Sequence, residues 1–139
     1  MYLMGMKLRT GVFADRPGVD GKVFTKAAIE GALADPMLQA RLDAGMLGSF
    51  LKRDLDRVAD ISNPTHRVLS VGLESTPLGA EIVADVEFLD TPEGRDAQAY
   101  LNLGAKIIGK PVLCVDWEAD KLIKRFTFHR IQLELIGEK

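Results

Sequence analysis

The side chains able to carry nucleophilic or metal chemistry are few in this 139-residue chain: one cysteine, two histidines and four serines. The serines are Ser49, Ser62, Ser70 and Ser75, so none follows position 75. A hydroxyl nucleophile needs a base within hydrogen-bond reach and donors for the developing oxyanion. His66, next to Thr65, opens an alternating apolar stretch. It can serve as a catalytic or orienting imidazole, or it can bond a backbone carbonyl at a strand end. The second reading is the expectation. Cys114 lies in Pro111-Val112-Leu113-Cys114-Val115, an apolar run that reads as a strand. A buried thiol has a raised pKa and is inert, so Cys114 is expected in the core. His129 has no cysteine, histidine or carboxylate at metal-ligand spacing and reads as a surface or interface histidine. A single cysteine also excludes an internal disulfide and a CxxC metal site. Neither a metal nor a cofactor is expected.

Composition narrows the class. The length fits one domain, 1–139, and 47% apolar residues suffice for a core. The apolar runs are far shorter than the roughly 20 residues of a membrane helix, so no membrane partner is expected. The N-terminus lacks a basic region followed by a long apolar segment, so no signal peptide is read. A formal charge of −2 argues against a nucleic-acid binder dominated by phosphate contacts.

The elements that must position these residues follow from periodicity. Glu81 to Phe88 alternates, with Ile82, Ala84, Val86 and Phe88 on one face and Glu81, Asp85 and Glu87 on the other. The corner Asp90-Thr91-Pro92-Glu93 opens a helix. Asp90 is the expected N-cap, with Glu93 reaching back. The helix runs to about Asn102 and stops at Gly104. Upstream, Lys7 to Ala14 alternates as a strand, and Asp15 to Gly21 is a loop of turn formers. Thr25 caps a helix with Ile29, Leu33 and Met37 inward, and Pro36 forces a break near Asp35 before a second piece through Leu42. Thr65 to Glu74 is a strand with Leu69, Val71 and Leu73 on one face, joined by a short turn to Glu81–Phe88 as an antiparallel hairpin. Val112 to Trp117 and Leu122 to Ile136 form the last strands. In the longer one Phe126 and Phe128 share one face while Thr127, His129, Ile131, Leu133 and Leu135 share the other, which calls for a bend or bulge. The pattern is that of an antiparallel α+β domain with two outer helical elements.

The segment E-F-L-D-T-P-E-G-R, followed by a helix and Gly104-Ala105-Lys106-Ile107-Ile108-Gly109, resembles the prohead (head maturation) proteases of tailed bacteriophages. The order strand, Asp20-Gly21-Lys22-Val23-Phe24-Thr25 turn and helix is similar to that family as well, so the likeness covers most of the chain. The resemblance implies a sheet closed or partly closed into a barrel, similar to the herpesvirus assembly protease. It also implies a catalytic histidine in the region of Leu47 to Arg53, where Lys52 stands, and a serine where Lys110 and Pro111 stand. A protonated lysine does not replace imidazole as a general base. His66 matches a second histidine of the family. The implied function is thus a virion structural protein, a capsid decoration, cement or other head-associated protein on an inactive protease-like domain. Its location would be the virion, and the host cytoplasm during assembly. Its partners would be capsid or other virion proteins and further copies of itself. The alternative is an active, divergent head-maturation protease, with His66, Cys114 and Ser49 as candidate residues. Tyr2, Leu3 and Met4, too apolar for a free tail, and the face carrying Trp117 and His129 are the candidate interfaces.

Overall fold

The computed structural model describes residues 5–18, 20–49 and 64–136. In chain order the elements are β1 (Gly5–Phe13), β2 (Val23–Phe24), α1 (Lys26–Ala34), α2 (Pro36–Asp43), β3 (Met46–Gly48), β4 (His66–Thr76), β5 (Gly79–Phe88), α3 (Pro92–Asn102), β6 (Lys106–Ala119) and β7 (Leu122–Ile136). The domain is α+β, with mostly antiparallel pairing and one parallel contact between β2 and β7.

Among the described residues the strands form two open sheets, ordered β1-β5-β4-β3 and β2-β7-β6, rather than the expected closed or partly closed barrel. β3 has three strand residues, and just after it a backbone bond from Leu133 N to the Ser49 carbonyl, at 2.8 Å, reaches the second sheet. At the opposite edge β1 meets β6 through side chains rather than a ladder. There Gly109 lies so close to Leu8 that an added Cβ would sit 3.4 Å from the Leu8 Cβ.

Among the described residues the first helical element is divided at Asp35, as expected, because Asp35 ends α1 and begins α2. Its carboxylate accepts the Met37 amide at 2.9 Å, and Pro36 follows at the first helical position. Thr25 caps α1 as expected, accepting from Ala28 N at 3.1 Å. The break shifts the helical phase, so Leu38 is buried and Met37 is exposed.

The corner after β5 differs by one residue from the sequence reading. Pro92 occupies the first helical turn, which makes Thr91, not Asp90, the N-cap. The Thr91 hydroxyl accepts from Gly94 N at 2.9 Å and donates to the Pro64 carbonyl at 2.6 Å. Asp90 instead pairs with Arg95 at 2.8 Å on the surface. Gly94 is required by contact: a Cβ there would stand 2.0 Å from the Leu89 carbonyl oxygen. Gly104 has φ of 93° and closes the helix as expected.

Bulges explain where the alternation fails. In β4 the register passes from Val68↔Val86 to Ser70↔Asp85, so Leu69 is the extra residue. It is exposed, while Val68 is buried and Val71 and Leu73 pack on the core. In β7 the register passes from Val112↔Arg130 to Leu113↔Phe128, so His129 is the bulged residue. That one-residue slip lets Phe126 and Phe128 on one side of it and Ile131 and Leu133 on the other all enter the core. Phe126 stacks edge-on with Phe24 and with Phe128, at centroid distances of 5.1 and 5.2 Å. Each such ring buried contributes about 2 kcal/mol.

Candidate functional site

The short β3–β4 ladder concentrates polar groups in the interior. Gly48 pairs with His66, and Ser49 follows directly. Thr65, His66, Ser49 and Gln132 are all buried. The approach is close: a Cβ on Gly48 would lie 2.2 Å from the Ile131 carbonyl oxygen and 2.5 Å from the imidazole. His66 Nε2 lies 2.7 Å from the Ile131 carbonyl oxygen, and Nδ1 lies 2.6 Å from Thr65 Oγ1. A carbonyl can only accept, so Nε2 carries the proton and donates, and Nδ1 accepts from the threonine hydroxyl. Burial lowers the His66 pKa from its ordinary 6.5 to about 4, the bond to Ile131 opposing that shift. His66 is therefore a neutral strut between β4 and β7, at a strand end and bonded to a backbone carbonyl.

Ser49 is buried and engaged by Gln132 through both its amide and its hydroxyl oxygen. Gln132 Nε2 donates to Ser49 Oγ at 3.0 Å, and Gln132 Oε1 accepts from Ser49 N at 3.1 Å. The amide of Gln132 thus binds the segment after β3 both ways. Sequence reasoning missed Gln132, because in I-Q-L-E-L it sits at an apparently outward position. It missed Glu81 as well, placing it on the polar face of β5. Glu81 is buried, since β1 bulges between Arg9 and Phe13 and its freed amide at Gly11 donates to Glu81 Oε2 at 2.8 Å. Arg9 completes the arrangement at 2.6 Å from Oε1.

The remaining candidates are dispersed. Cys114 is exposed, which corrects the expectation of a core thiol. Beyond Pro111, β6 is an edge strand whose residues from Cys114 to Ala119 are exposed, so apolar composition did not mean burial. The Cys114 Sγ lies 3.8 Å from Asp116 Oδ1. Trp117 is 59% exposed and pairs with Arg125. His129 is exposed four positions further along β7, about 13 Å away at 3.3 Å per residue. Lys110 and Pro111 continue β6. Tyr2, Leu3, Met4 and Lys52 lie outside the described residues.

Among the described residues, no group of three or more His, Cys, Asp or Glu side chains is placed to hold a metal ion. Nor is any helix among them long and apolar enough to cross a membrane. Comparison of the chain with protein-family models, curated proteins and solved structures finds no match.

Proposed function

We propose that this chain is a structural protein of a tailed-phage virion, a head-associated component such as a decoration or cement protein. It would use a prohead-protease-like domain without catalysis. Support comes from the strand, corner and helix around Leu89-Asp90-Thr91-Pro92-Glu93-Gly94-Arg95 and from the antiparallel α+β arrangement. The observation that carries the reading is His66: fully buried, with both ring nitrogens occupied. A general base must reach the proton it removes, and this imidazole has no open nitrogen. On this reading the surface is the working part, toward capsid proteins and further copies of the chain. Its place would be the virion, and the host cytoplasm during assembly.

Incubation with capsid and scaffold proteins of the same phage tests the reading. They should remain uncut. The alternative, an active divergent protease, draws on one feature: Ser49 follows Gly48, the register partner of His66. Cleavage that disappears in Ser49→Ala would establish that alternative and end the structural reading.

A further inference from the structure

We propose that the pocket between the end of α2 and the bulge of β7 binds a phosphate group, held by Arg41, Arg130 and His129. This stands apart from the virion reading. The pocket has a volume of about 230 Å³ and is lined by Arg41, Ala44, Gly45, Met46, His129 and Arg130. No carboxylate among the described residues lines it. His129 and Arg130 are consecutive, and consecutive strand residues normally face opposite ways. The bulge at His129 removes that constraint, and both line one pocket.

The two guanidinium groups are held in place by the backbone. Arg41 donates to the Phe128 carbonyl at 3.2 Å, and Arg130 donates to the Leu47 carbonyl at 3.1 Å. Each bond uses one N–H of five and leaves the others for a ligand. Neither arginine takes part in an ion pair among the described residues. The nearest acidic side chain on α2, Asp43, is engaged by Gln39 at 2.8 Å. The C-terminal end of α2 carries partial negative charge, which Arg41 in its last turn offsets. Arg67, near Gly45, is paired with Glu87. Two pre-positioned forks and an imidazole match a tetrahedral oxyanion, which accepts bidentate bonds. At about 30 Å³ per water the pocket has room for a phosphate group with several waters around it.

Nuclear magnetic resonance titration of the full chain with inorganic phosphate, at constant pH and ionic strength, tests this. The side-chain resonances of Arg41, Arg130 and His129 should shift together and saturate. Arg41→Gln should weaken binding about tenfold, as expected for loss of one charge-assisted contact. Resonances of the His66 region report whether that variant is folded, and the wild-type titration decides alone if it is not. Shifts that do not saturate would overturn the proposal. So would equal shifts with succinate, or an unchanged affinity in a folded Arg41→Gln protein.

Discussion

Acid should weaken this fold through His66. In the folded chain burial lowers its pKa to about 4, while the unfolded chain titrates near 6.5. Above pH 6.5 both states are neutral and His66 adds no pH dependence. Below it the unfolded chain takes up a proton that the folded chain refuses, so stability falls as pH drops from 6.5 toward 4. The interval from 6.5 to about 4, at about 1.4 kcal/mol per pH unit, corresponds to about 3 kcal/mol. Urea titrations at pH 7, 6, 5 and 4 measure it, with His66→Gln as the reference. The variant starts less stable, because the Thr65 hydroxyl and the Ile131 carbonyl lose their ring partners. It should show a flatter profile across this window, and the wild-type minus variant difference isolates the imidazole from carboxylates such as Glu74. Parallel profiles would refute the claim that a neutral, buried His66 joins β4 to β7.

Three further outcomes follow from the packing. Thr91→Ala should lower stability by about 1 kcal/mol through loss of the α3 cap, and Asp90→Ala by a few tenths, since its ion pair is on the surface; denaturant midpoints separate the two. Gly94→Ala should cost several kcal/mol or prevent folding, because its Cβ would meet the Leu89 carbonyl; a melting temperature within a few degrees of wild type would contradict this. Deleting residues 1–4 should leave the melting temperature unchanged and reduce incorporation into particles; equal incorporation would remove this apolar arm from the interface.

The periodic parts of this fold were legible in the sequence. The 81–88 strand, the hairpin before it, the Thr25 cap and the break at Asp35 rest on local patterns that tertiary contacts do not override. The misplaced features are tertiary. Asp90 and Thr91 are both good caps, and Pro92 decides between them. The bulge in β7 was anticipated from its two conflicting faces, but its position at His129 depends on the partner strand. The one in β4 at Leu69 left no trace in an otherwise regular alternation. Cys114 read as core because its neighbours are apolar, whereas β6 is an edge strand whose residues are exposed from Cys114 onward. The buried Gln132, and the meeting of Arg41 with Arg130, join residues 83 or more positions from their partners and carry no local signal.

The central claim is that the chain is a many-copy virion component. Quantitative mass spectrometry of phage particles purified from cells that express the chain tests this proposal most directly. The account predicts intact chain in stoichiometric proportion to the capsid protein. A chain that is absent from particles, or found there only in trace and self-cleaved, would contradict it.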